Sequence, residues 1–111
     1  MFGGRDFWDR DYVFEGLDRI AKEFPIGFVM TGGQVGTDTW GLAWAKARGI
    51  PRKSFVVDTK IDGPWPRAGN RRNWRMFFEG APTLGACTVG GPGTQHMRGV
   101  LTGSKIRVLD I

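Results

Sequence analysis

The sequence predicts a Rossmann-like, three-layer α/β domain: a mostly parallel sheet of four to five strands with helices on both faces, its first strand short or missing. Three observations predict it. Short apolar runs alternate with helically spaced patterns along the chain. Glycine doublets stand at the ends of several apolar runs. The length of 111 residues suits one domain and leaves no room for a second. Strands that alternate with helices pair in parallel, and right-handed crossovers bring every strand-to-helix loop to one edge. That edge, at the carboxyl ends of the strands, is where open α/β sheets bind ligands.

Each element follows from its residues. Met1 and Phe2 precede Gly3-Gly4 and are too few for a full strand, so the first strand is a stub or begins upstream of Met1. Residues 11–22 carry Val13, Leu17, Ile20 and Ala21 near helical spacing, with Asp9 or Asp11 as cap and Phe24-Pro25 as stop. Residues 27–31 (GFVMT) form a short apolar run, read as a buried strand. A helix is expected over 38–47, closed by Gly49 and Pro51, and a strand over 54–57. Residues 58–68 (DTKIDGPWPRA) read as a long polar loop. A third helix spans 71–79, a strand 84–89, a short helix 94–101 and a last strand 106–109.

Composition narrows the function. Hydrophobic residues make up 41%, enough for an ordinary core and too many for a disordered chain. Glycine is over-represented at 18 of 111 residues, without a collagen-like period to account for it. The net charge of +5 fits nucleic acid, an anionic small molecule or simply a soluble surface. Lys and Arg are scattered except in one cluster, which favours the small molecule over nucleic acid. The lone Cys87 excludes an internal disulfide and suits a reducing cytoplasm; within its apolar flanks it reads as a packed thiol. No stretch approaches a membrane span, and the N-terminal residues do not resemble a signal peptide.

Four segments fall at strand ends: GGRDF (3–7), TGGQVGTD (31–38), DTK (58–60) and GGPGT (90–94). Two of them place a glycine doublet and a third glycine just ahead of a helix. Such a loop turns N–H groups toward an anion, and the helix N-terminus adds partial positive charge. The plainer alternative is a pair of tight turns that need glycine. No Walker A sequence occurs, which disfavours ATP hydrolysis of that kind. Asp38 has two candidate roles, capping its helix through the Trp40 or Gly41 N–H and accepting from a ribose hydroxyl. Thr37 and Thr94 place hydroxyls where they can touch phosphate or bond locally within a turn.

The basic cluster is RAGNRRNWRM (67–76). On a helix only one or two of its guanidiniums face a pocket, where they grip phosphate in a bidentate way; the others read as a solvated face. Trp65 and Trp74 serve equally as stacking platforms for nucleic acid, as core, or as oligomer contacts. His96 is the only histidine and reads more readily as a packing residue than as a general base. With one histidine and one cysteine no metal site is expected, and no cofactor is implied.

Together and in order, GGRDF, TGGQVGTD, AGNRRNWRM and GGPGTQHM resemble the SLOG superfamily. That group includes LOG-type phosphoribohydrolases, the DNA-processing protein DprA, and small YspA/YpsA-related proteins of bacteria and phages; the last branch is the nearest in pattern. The resemblance implies a Rossmann-like fold whose second glycine loop holds phosphate while the first loop and the Arg-Asn helix help close the site. It implies ligand contacts from Gly4, Arg5, Gly32, Gly33, Gly36, Asp38, Arg72, Asn73, Gly90, Gly91, Gly93 and Thr94, with Thr37 added from the loop chemistry. LOG-type enzymes read P-G-G-x-G-T-x-x-E, and their glutamate is tied to cleavage of an N-glycosidic bond. Here Val89 replaces the proline and Met97 the glutamate, while Glu79 lies too far along its helix to substitute. A thioether cannot serve as acid, base or charge stabiliser.

The expected function is therefore binding of a nucleotide or nucleotide-derived molecule by a sensor or sequestering module, with a phage or mobile-element origin implied by the branch. Two alternatives stand beside it. One is a phosphoribohydrolase or nucleotidase using Asp6, Asp38 or Asp58. The other is a DprA-like single-stranded DNA binder with a basic groove over Arg67, Arg71 and Arg75. The five tryptophans point to a homo-oligomer.

Overall fold

The computed structural model describes residues 1–111. Helix α1 (Arg10–Glu23) begins at Asp9, whose carboxylate accepts the Tyr12 N–H at 3.0 Å, and turns Val13, Phe14, Leu17 and Ile20 inward. Strand β1 (Val29–Thr31) follows, then α2 (Thr37–Ala47) and β2 (Arg52–Ser54). The long polar loop contains a single helical turn, α3 (Thr59–Asp62), capped by the Asp58 carboxylate on the Lys60 N–H. Helix α4 (Ala68–Gly80) ends at Ala81 in the left-handed region, β3 is Gly85–Cys87, α5 is Pro92–Gly103 with proline in its first turn, and β4 is Val108–Asp110.

The layers are those of a Rossmann-like α/β fold. Helices α1 and α2 share one core with Val29 and Ala86, in which Val13, Trp44 and Ala45 are sealed from solvent. Helices α4 and α5 share the other with Phe2, Phe55 and Cys87. Ala86 and Cys87 are neighbours in β3 and enter opposite cores, as the alternation of side chains along a strand requires.

The continuous sheet of four to five strands is not what forms. There are two parallel pairs, β1 with β2 (Val29 beside Arg52, Thr31 beside Ser54) and β3 with β4 (Gly85 beside Val108, Cys87 beside Asp110). Met1 and Phe2 lie between the pairs. The Phe2 N–H donates to the Ala86 carbonyl at 3.0 Å, its carbonyl accepts from Thr88, and the Met1 amine donates to the Met30 carbonyl at 2.9 Å. Two residues make one β-bridge, Phe2 with Cys87, on one side and a single hydrogen bond to β1 on the other, too few for a ladder. The strand expected over 54–57 pairs instead at Arg52–Ser54, and beyond it only Phe55 still donates, to Thr31 at 2.8 Å.

Candidate functional site

At the carboxyl ends of the strands three glycine-bearing loops are tied into one surface. The GGRDF loop is the middle member. Its Gly4 N–H donates to the Val89 carbonyl at 3.0 Å, and its Gly4 carbonyl accepts from both the N–H (3.1 Å) and the hydroxyl (3.2 Å) of Thr37. The Thr37 hydroxyl also meets that of Thr88 at 2.6 Å. Gly36 is at φ +82°, and a Cβ there would lie 2.5 Å from the Gly4 carbonyl oxygen and against that of Arg5. Glycine is needed at this point for both reasons.

Around this surface is a cleft of about 910 Å³. It brings together Gly4, Arg5, Gly32, Asp38, Arg72, Asn73, Gly90, Gly91, Gly93 and Thr94 from the sequence reading. Gly36 and Thr37 do not line it; they hold the loops to each other from behind. Gly33, also outside it, lines a neighbouring cleft.

The GGPGT loop is the open part. The N–H groups of Gly90, Gly91, Gly93 and Thr94 donate to nothing in the chain, and neither does the Thr94 hydroxyl. No acidic residue stands in the first turn of α5. A Cβ at Gly91 or Gly93 would meet no atom within 4 Å, so space in front of the loop is free.

Asp38 is buried, and burial pushes its carboxyl above the usual range. The Gln34 N–H bonds its Oδ2 at 3.1 Å and, with the Arg72 charge, works the other way. Oδ1 has no hydrogen-bond partner. The expected cap to Trp40 or Gly41 is not made, because the carboxylate turns back to the loop before its own helix.

The guanidiniums of α4 divide by role. Arg72 is buried and donates from Nη1 to the Gly32 carbonyl at 2.5 Å and the Phe55 carbonyl at 3.2 Å, and from Nε to the Asn73 amide oxygen at 3.1 Å. It braces the 31–38 loop, with Nη2 left unbonded; burial lowers its pKa. Arg75 pairs with the buried Asp62 at 2.9 Å and donates to the Val56 carbonyl, so no unbroken basic stripe runs over Arg67, Arg71 and Arg75. The Arg75 guanidinium holds the Asp62 carboxyl below its usual range. Arg5 is exposed and unpaired.

Asn73 fixes the last polar link. Its oxygen accepts from Arg72, so its amide nitrogen must face Gly93 (3.4 Å to the carbonyl) and His96 Nδ1 at 3.1 Å. His96 is thereby an acceptor at Nδ1 with its proton on Nε2, and burial lowers its pKa. It lies outside the cleft and anchors α4 to α5. Met97 lines the cleft from within the apolar core, where the sequence comparison places the LOG glutamate. Cys87 is a buried thiol donating to the Thr88 carbonyl, its pKa raised by burial.

Three contributors escaped the sequence reading. Thr31 is the last residue of β1 and Thr88 directly follows β3, and each hydroxyl is bonded into a glycine loop (Thr31 accepts from Gly33 at 3.2 Å). A threonine at a strand end, directly before the doublet at Thr31 and one residue removed from it at Thr88, was a usable signal for both. Asp62, inside a Gly- and Pro-rich segment, offered none.

A model described as YAcAr, the YspA, cpYpsA-related SLOG family, matches residues 1–60, more than half of the chain. The chain belongs to the YspA, cpYpsA-related SLOG family. No curated protein and no solved structure matches it. The SLOG match covers the first two glycine loops and stops before Arg72, Asn73 and GGPGT, so the second half of the site stands on its geometry. Family membership goes with a Rossmann-like fold and a nucleotide-related function in the broad sense. No helix is long and apolar enough to cross a membrane, and no group of three or more His, Cys, Asp or Glu side chains gathers to hold a metal.

Proposed function

We propose that the glycine-lined cleft binds a nucleotide or nucleotide-derived small molecule, and that the protein acts as a cytoplasmic sensor or sequestering module. One observation carries this reading: the N–H groups of Gly90, Gly91, Gly93 and Thr94 are unbonded, and the space at Gly91 and Gly93 is open, at a helix start that has no acid of its own. Such a position favours an anion. Arg5 supplies a free positive charge at the same cleft, and Asp38 a carboxyl group for a sugar hydroxyl. A phosphate seated there is held by backbone donors and one guanidinium, a combination suited to tight retention.

Met97 supports binding without cleavage. The position that would carry a catalytic glutamate is a thioether packed with Met76 and Leu101, which cannot move a proton. In a phage or mobile element, retention of a signalling nucleotide would be its use. Thermal-shift screening with mononucleotides tests the reading: a ligand at 100-fold its Kd adds about 2.7 kcal/mol of apparent stability. In Arg5→Ala the affinity should fall by about tenfold or more, since a charged hydrogen bond is worth about 1.5–3 kcal/mol. No shift with any nucleotide refutes it, and release of free base would replace binding with hydrolysis.

A further inference from the structure

A second cleft, also about 910 Å³, opens beside the first toward β2 and α3. The two share Arg5, Gly32, Gln34, Trp65 and Arg72, so they meet across the two arginines. Their walls differ in chemistry. The first is rich in glycine backbone. The second is walled by Val35, Val56, Ile61 and Trp65, each more than half exposed to solvent. These four are a large part of all the exposed apolar side chains, and an apolar wall gathered in one concave place marks a binding surface.

Charge is placed at the junction and not in the second cleft itself. Arg75 reaches that cleft but is already paired with Asp62 and bonded to the Val56 carbonyl. Asp58, at its wall, repels phosphate, while Ser54 and Thr59 offer hydroxyls. The free donors are Arg5 and Arg72 Nη2, where the clefts join. An anion therefore belongs between the clefts, and a flat apolar group belongs beyond it.

Resting on the nucleotide reading above, we infer that the second cleft is a ring-binding subsite and that the ligand is two-headed, of the phosphate-linked dinucleotide class. One ring-bearing half lies over the glycine loops. The phosphates run from the α5 amides past Arg5, and the second ring packs against Val35, Val56, Ile61 and Trp65. A mononucleotide fills only the first part of this path.

Isothermal titration with adenosine monophosphate and with diadenosine pyrophosphate tests it, on the unaltered protein and on Val56→Asp and Ile61→Asp. Both positions are exposed and outside the glycine-lined cleft. The dimer should bind about tenfold or more tighter than the monophosphate, the scale of one stacked base. Each substitution should remove that gain and leave the monophosphate affinity within about twofold, because the two subsites are separate. Equal affinity for the two probes overturns the second subsite while leaving the first intact. A variant that weakens both probes alike overturns it too, since a single ring would then occupy the second cleft. If neither probe binds, the two-headed ligand is overturned, and the first reading falls with it only if the wider nucleotide screen also gives no shift.

Discussion

The loops at residues 31–38 and 90–94 share a pattern, a glycine doublet and a third glycine at the start of a helix, and they differ in what surrounds them. The first is closed. Gly36 is pressed against two carbonyls, Thr37 gives both its N–H and its hydroxyl to Gly4, and Asp38 already sets a carboxylate in the first turn of α2. The second is open, with unbonded N–H groups, no acid, and free space at Gly91 and Gly93. A glycine-rich motif thus says that backbone approaches something closely. Whether that something is the protein itself or a ligand depends on where the donors point.

Substitutions at matched positions separate the two cases. Gly36→Ala should be the most damaging, because a side chain there is both in the left-handed region and against backbone oxygens. A loss of about 3 kcal/mol or more in urea unfolding is expected, whereas a loss below about 1 kcal/mol would show the loop to be looser than described. Thr37→Val keeps the shape and removes the hydroxyl shared with Gly4 and Thr88, for an expected loss of about 1–2 kcal/mol by the same measurement. Gly93→Ala should go the other way. It sits in the first turn of α5 with free space, so alanine adds up to about 0.5–1 kcal/mol of stability while weakening nucleotide binding. A variant both destabilised and fully competent would erase the distinction.

The smallest effect is the pH response of the contact behind the open loop. His96 accepts from Asn73 only when neutral, and its folded pKa is lowered. The unfolded chain therefore binds the proton more readily, and stability falls as pH drops below about 6.5 toward the lowered value. His96→Gln, which retains an acceptor, should flatten that slope in thermal melts taken between pH 5 and 7. An unchanged slope would assign the response to another group.

Much of this was legible in the sequence. The order of elements followed from apolar periodicity, and the four motifs placed most of the cleft residues because strand ends share one edge. What was not legible depends on partners distant in sequence. Apolarity at residues 54–57 reports burial of Phe55 and not strand pairing, which ends at Ser54. Arg72 looks like a phosphate clamp until the Gly32 and Phe55 carbonyls are seen to occupy its Nη1. The Arg75–Asp62 pair spans a loop whose course no local pattern predicts. Asp38 reads as a helix cap, yet it falls inside the first turn of α2 and bonds upstream to Gln34. In each case the residue type was informative and its bonding partner was not.

The central claim is that the open loop, and not the closed one, receives phosphate. Amide chemical shifts during titration with a mononucleotide test it directly. The N–H resonances of Gly91, Gly93 and Thr94 should move downfield on saturation, as new hydrogen bonds form, while that of Thr37, already bonded to Gly4, stays in place. Movement at Thr37 with none at Gly91 and Gly93 would contradict it.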